Sequence, residues 1–301
     1  MKTFFDCIPC FVRQALDAVR RATDDETVHE DVLRAALHAI SEMDLRGSPP
    51  AMGYTIHRLV RERVGEGDPY REMKDESNRY ALTLYPELKA RVEGSDKPLE
   101  TAVRLAIAGN IIDVAVKNDL GTTNVDHAIE RALTSPFAAD LEAFAKAVAE
   151  AENILYLADN AGEIVLDRLL LERLPLERVT VAVRGAPVIN DATLIDAQAA
   201  GITDIVEVID SGADVPGTIL ELSSALFRQR FDAADLVIAK GQGNYETLSE
   251  VPKDIFFILL AKCPVIAQDI GCNVGELVLR RSNHIALSQR QNGATDLTPT
   301  Q

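Results

Sequence analysis

Cysteine is scarce in this chain, with four residues in 301, at positions 7, 10, 263 and 272. So few, and so widely spaced apart from one C-x-x-C, argue against a disulfide framework. Long apolar sequence is lacking too. No run approaches the roughly 20 residues that a membrane-spanning helix needs. The opening Met1-Lys2-Thr3-Phe4-Phe5-Asp6-Cys7 has neither the apolar segment nor the small-residue cleavage site of a secretory leader, so the expected location is the cytoplasm. Basic charge is in deficit: 31 Lys and Arg stand against 47 Asp and Glu, a net charge of −16. Without a local basic patch, such a surface repels nucleic-acid phosphates and anionic membranes, and neither is an expected partner. Apolar residues are abundant. At 47% of 301 residues they suffice for the core of one large or two ordinary domains.

The first hundred residues carry apolar positions at spacings of three and four, near 10–22, 29–43, 51–64 and 70–85, separated by turn clusters such as Gly47-Ser48-Pro49-Pro50. This predicts an all-helical N-terminal domain over 1–98, ending at the polar stretch Gly94-Ser95-Asp96-Lys97-Pro98. Two further helices are expected near 99–117 and 124–150. From 153 onward short apolar runs alternate with helical stretches: Ile154–Ala158, Val179–Val183, Ile205–Val208, Leu236–Ala239 and Val265–Ala267. That alternation predicts βαβ units and an α/β fold with a mainly parallel sheet covered by helices, over 99–287. The polar stretch 288–301 lacks periodicity and is expected to be a flexible tail.

Three of the expected strands exit into polar loops. Asp159-Asn160-Ala161-Gly162-Glu163 follows the first, Asn190-Asp191 the second, and Lys240-Gly241-Gln242-Gly243-Asn244-Tyr245-Glu246 the run 236–239. Loops at the C-terminal ends of parallel strands are where α/β enzymes keep their chemistry. Carboxylate and carboxamide oxygens from Asp159, Asn160 and Asp191 suit a hard cation, although each loop taken alone fits a helix N-cap as well. Gly241 and Gly243 let backbone amides approach an anion at a helix N-terminus, with Lys240 adding charge. Lys262, just before the run at Val265, has the charge to pair with a phosphate or to lie along the surface. Asn110 and Asp113 are three apart on one helix face among apolar neighbours, as core hydrogen-bonding groups or as an active-site edge.

Several chemistries lack their motifs. There is no G-x-x-x-x-G-K-[ST] loop for a nucleoside triphosphate, no G-x-G-x-x-G, no G-x-S-x-G elbow, and no D-x-D after the first strand. Cys7 and Cys10 have no second C-x-x-C or nearby His pair to complete a zinc site, which Cys263 and Cys272 could do only if the fold brings them close, and no adjoining βαβ unit for a thioredoxin-type role; packing is favoured over a metal or redox function.

Taken in order, Asp6-Cys7-Ile8-Pro9-Cys10, Ala108 to Asp113, Asp159 to Glu163, Pro187 to Thr193, Lys240 to Glu246 and Lys262-Cys263-Pro264-Val265 resemble the metal-dependent damage-control phosphatase family with its Armt1-like domain, in the prokaryotic branch with an N-terminal C-x-x-C. The resemblance implies a helical region beside a Rossmann-like domain. It also implies a divalent cation (Mg²⁺, Mn²⁺, Co²⁺ or Ni²⁺) at Asp159, Asn160 and Asp191, and catalytic roles for Asp159, Lys240 and Lys262. A small phosphorylated metabolite would meet Asn110, Asp113, Gly241, Gln242, Asn244 and Tyr245. The implied activity is hydrolysis of phosphate monoesters of sugars and related metabolites, with water or the Asp159 carboxylate as nucleophile. Eukaryotic relatives carry Asp where this chain has Gln242. Two rivals are an S-adenosylmethionine-dependent methyltransferase, for which no glycine-rich loop follows the first strand, and a non-catalytic protein that binds metal or sugar phosphate. The sequence leaves the oligomeric state open.

Overall fold

A computed structural model describes residues 1–65, 67–117, 121–137 and 139–282, and within these it leaves out the side chains of 111–126 and 128. The expected tail at 288–301 lies outside the described residues. Helices α1 (Ile8–Ala22), α2 (Glu26–Glu42), α3 (Pro49–Val64), α4 (Arg71–Glu93), α5 (Pro98–Lys117), α6 (Gly121–Thr134) and α7 (Leu141–Glu150) come first. The α/β part follows as β1 (Ile154–Leu157), α8 (Glu163–Leu171), β2 (Val179–Val183), α9 (Leu194–Ala199), β3 (Glu207–Asp210), α10 (Ala225–Ala233), β4 (Leu236–Lys240), α11 (Gly241–Leu248), β5 (Ile255–Leu260), α12 (Pro264–Ile270) and β6 (Leu277–Arg281).

The six strands form one sheet in the order β3-β2-β1-β4-β5-β6, parallel except for the antiparallel edge strand β6. Strand side chains alternate between its two faces. Ile154, Tyr156, Val181, Ile238, Phe256 and Ile258 face a core shared with α4, α5, α7 and α8. Leu155, Leu157, Val237, Ala239, Phe257 and Leu259 face the core under α10, α11 and α12. With each fully buried Val, Leu, Ile or Phe contributing about 1.5–3 kcal/mol, these two layers hold the sheet. A separate cluster built on Phe11, Ala15, Ala36, Met52 and Ile56 joins α1, α2 and α3. Ala81, Leu88 and Val92 of α4 belong to the sheet-side core, so packing continues across the expected boundary at 98.

Two strand expectations are corrected. The run Val265–Ala267 lies in α12, because Cys263 sits at the N-cap and Pro264 at the first turn, where a missing N–H costs nothing. The strand in that region is Ile255–Leu260. The third strand starts at Glu207 instead of Ile205, and the helix expected over 124–150 is two, α6 and α7. No helix among the described residues is long and apolar enough to cross a membrane.

The order of the strands reverses between β1 and β4. Outside the carboxyl ends of strands, such a switch point opens the crevice in which open α/β sheets bind ligands. A hollow lined by Asn153, Arg178, Glu207 and Arg230 opens instead at the N-terminal edge of β1 to β3, where none of the polar strand-exit loops converges.

Candidate active site

The exits of β1 and β2 are stitched together by their backbones. Ala192 N donates to the Asp159 carbonyl at 2.8 Å, Ala161 N donates to the Asn190 carbonyl at 2.9 Å, and Asn160 and Asp191 form an antiparallel bridge. The sheet edge therefore brings together the three residues that the sequence singled out for a cation. All three are buried, with Asp159 8%, Asn160 7% and Asp191 4% exposed, so each polar atom there needs a partner.

The partners are specific. Asn160 Nδ2 donates to Asp159 Oδ2 at 2.8 Å and to Glu163 Oε2 at 2.9 Å, while its Oδ1 accepts from Asn190 Nδ2 at 2.9 Å. Arg184, itself 3% exposed, donates through Nε to Asp191 Oδ2 at 2.6 Å, and its Nη2 lies 3.9 Å from Asp159 Oδ1 without a hydrogen bond. Across the switch point the Asp159 carboxylate abuts Gly241, whose φ is +80°. A Cβ on Gly241 would lie 1.9 Å from Asp159 Oδ2. Gly241→Ala is therefore expected to displace the carboxylate and to cost any turnover at this site about 10²-fold, as misplacement by an ångström does, which a rate comparison with the unaltered chain measures directly.

Burial, then the neighbouring Glu163 and Asp191 carboxylates, push the Asp159 carboxyl well above the usual carboxylate range, against the pull of Lys262 and Arg184. Burial also raises Asp191, with Arg184 and Lys74 opposing it. The donor set of two carboxylates and a carboxamide oxygen, all hard, fits a divalent cation such as Mg²⁺ or Mn²⁺. Among the described residues no three His, Cys, Asp or Glu side chains are grouped to hold a metal, so the set reaches three only with Asn160.

The remaining sequence candidates divide. Lys262, in the loop after β5, is exposed, and its charge acts on Asp159. Asn110 is 1% exposed with both amide atoms unpartnered, and Gln242 Oε1 is a buried acceptor without a donor; both are free to take a ligand. The side chain of Asp113 lies outside the described residues. Lys240 is corrected. Its fully buried ammonium donates to Ala106 O at 2.9 Å, to Glu163 Oε1 at 2.7 Å and to Asp167 Oδ1, which uses all three protons and leaves none for a phosphate. Asn244 is also committed: its Nδ2 bonds the carbonyls of Lys240 and Ala158, and its Oδ1 accepts from Thr218 Oγ1. The Tyr245 hydroxyl bonds Asp269 Oδ2 at 2.7 Å and its ring packs edge-on to Phe257, on the sheet face away from Lys240.

Helix α4 supplies residues that the sequence reading passed over. Asn78 Oδ1 accepts from Gly162 N at 2.7 Å and Asn78 Nδ2 donates to Asp196 Oδ1 at 2.9 Å, tying the loop after β1 and the first turn of α9 to α4. Lys74, fully buried, lies 3.1 Å from Asp196 Oδ2, and Ser77 leaves its hydroxyl buried and unpartnered. The signal was present as polar residues 74, 77 and 78 on one helix face with buried Met73 and Ala81. Cys7 is half-buried against the Phe11 and Ile56 cluster and Cys10 is exposed, with both thiols free.

The profile of the damage-control phosphatase ARMT1-like domain matches residues 3–278. A damage-control phosphatase of Pyrococcus horikoshii is 34% identical over 288 residues, covering 94% of this chain and 99% of that one. A damage-control phosphatase of Archaeoglobus fulgidus is 34% identical over 280 residues, covering 91% and 97%. The crystal structure of a DUF89 family protein from Pyrococcus horikoshii superposes with a TM-score of 0.85 at 33% identity, covering 94% of this chain and 99% of that chain. The chain belongs to the damage-control phosphatase ARMT1-like family.

Proposed function

We propose that this protein is a metal-dependent phosphatase that hydrolyses phosphate monoesters of sugars or related small metabolites in a damage-control role. The phosphatase names of its relatives support the reaction class. The observation that carries the reading is the convergence of Asp159, Asn160 and Asp191 at the switch point, beside buried groups that still lack partners: Arg184 Nη2, Asn110 and Ser77 Oγ. Carboxylates and a carboxamide oxygen would hold the cation, which supplies Lewis-acid stabilisation of charge developing on the phosphoryl oxygens. Around it, Arg184 fixes Asp191 and offers a free N–H to a phosphoryl oxygen. Lys262 adds exposed positive charge at the mouth, and the first turn of α11 presents amides without intrahelical acceptors. Such preorganised donors act strongly in a site from which water is largely excluded.

A panel of sugar phosphates assayed with Mg²⁺, Mn²⁺, Co²⁺ or Ni²⁺, with a chelator control, tests this reading. The expected result is inorganic phosphate release that needs the cation and ceases with chelator. Release that persists in chelator would sink the metal dependence. Binding without any release would sink the phosphatase assignment.

A further inference from the structure

Glu163 has no role in the reading above, yet it is fully buried and connects the centre to its surroundings. Its Oε1 accepts from Lys240 Nζ at 2.7 Å and its Oε2 accepts from Asn160 Nδ2 at 2.9 Å. The other proton of that Nδ2 goes to Asp159 Oδ2 at 2.8 Å. A carboxamide facing two carboxylates is satisfied only with its nitrogen toward them, which turns Oδ1 to the other edge of the amide, toward the loop after β2 that carries Asn190 and Asp191. There it takes one proton from Asn190 Nδ2 at 2.9 Å and keeps a second lone pair for a cation. Helix α5 backs this arrangement from behind. A Cβ on Gly109 would come within 3.0 Å of Glu163 Cα, so only a glycine lets α5 pack so closely on Glu163.

We propose that Glu163, clamped by Lys240, is a positioning residue that locks the Asn160 carboxamide with its oxygen turned toward the cation. This deepens the metal-dependent reading and rests on it. The role has a chemical requirement that only a carboxylate meets. It must accept two hydrogen bonds from two different donors, one through each oxygen. In Glu163→Gln the carboxamide has one oxygen and one NH₂, so either Lys240 or Asn160 meets a donor. Asp167 serves as the internal comparison, because it shares the Lys240 ammonium and makes no hydrogen bond to Asn160.

The test is Mn²⁺ binding to the chelator-treated full chain by isothermal titration calorimetry, which reads the site without turnover. E163Q is expected to bind Mn²⁺ about 10–100-fold more weakly than the unaltered chain, the usual cost of losing a group that orients a ligand. Asp167→Asn, which keeps an oxygen for Lys240, is expected to bind within about threefold of the unaltered chain. In an Asn160→Ala background, E163Q is expected to cost no further affinity, because the residue acts only through that carboxamide. Should E163Q not fold, Glu163→Asp keeps the charge for Lys240 and withdraws from Asn160 by one methylene, and a loss of affinity is again expected. Unchanged affinity in the folded variant, or an equal further loss on the N160A background, would overturn the positioning role. An unaltered chain that binds none of the four cations would overturn the metal-dependent reading beneath it.

Discussion

Asp159→Asn is expected to lower phosphatase turnover about 10³-fold, the scale on which removing a principal electrostatic element of a site acts, while making the metal-free protein more stable. Both effects have one origin. Asp159 is buried beside Glu163 and Asp191, which lifts its carboxyl well above the usual range. A carboxyl whose folded pKa is raised contributes stability at low pH and loses it as pH rises through the folded value. The uncharged asparagine escapes that loss. The melting temperature of metal-free Asp159→Asn should therefore exceed that of the unaltered chain at pH 8, with the gap narrowing toward pH 5. Added Mn²⁺ should reverse the ranking, because it stabilises by binding only where the ligand carboxylate is present. Melting scans with and without Mn²⁺, alongside turnover, check all three expectations. An Asp159→Asn protein that melts lower than the unaltered chain at pH 8 without metal, or that keeps its turnover, contradicts this view of the residue.

Lys240→Met is expected to act on the fold more than on substrate affinity. It strands Glu163 and Asp167 in the core and removes the lysine's hydrogen bond to the Ala106 carbonyl. Breaking a buried ion pair by removing one partner costs about 3–5 kcal/mol, which for a chain of this size corresponds to a fall in melting temperature on the order of 10 °C. The loss depends on pH with a definite sign. Burial, with Glu163 adding to it and Lys240 opposing, pushes the Asp167 carboxyl up to about 7. Without the lysine the Asp167 carboxyl takes up a proton more readily, so the penalty should be smaller at pH 5.5 than at pH 8. A lysine that only contacted phosphate would instead weaken substrate binding and leave the melting temperature in place, and calorimetric melting at the two pH values separates the cases.

The strand exits were legible because parallel strands buried on both faces read as apolar runs, and chemistry collects where such runs stop. That reasoning placed Asp159, Asn160 and Asp191 on one edge, where their backbones do meet. It did not say which way each side chain points, and Lys240 shows the cost. Counted along β4, position 240 shares a face with Leu236 and Ile238, toward the core under α5 and α8, so strand parity already directed the ammonium inward. Lys262 was legible as a charge. Its place at the C-terminal end of a strand was not, because Val265-Ile266-Ala267 is too short to distinguish a strand from a helix, and the proline before it was the better guide. Asn78 and Lys74 were hidden for a different reason. Asn78 meets Gly162 across 84 positions of sequence, and no local pattern reports a contact at that range.

The most direct measurement is phosphate release by chelator-treated protein as Mn²⁺ is titrated back at fixed sugar phosphate, followed beside direct Mn²⁺ binding. A metal-dependent phosphatase built on Asp159, Asn160 and Asp191 should be silent without the cation and recover activity along the binding curve. Full activity in chelator, or a rise in activity that does not follow occupancy, would contradict it.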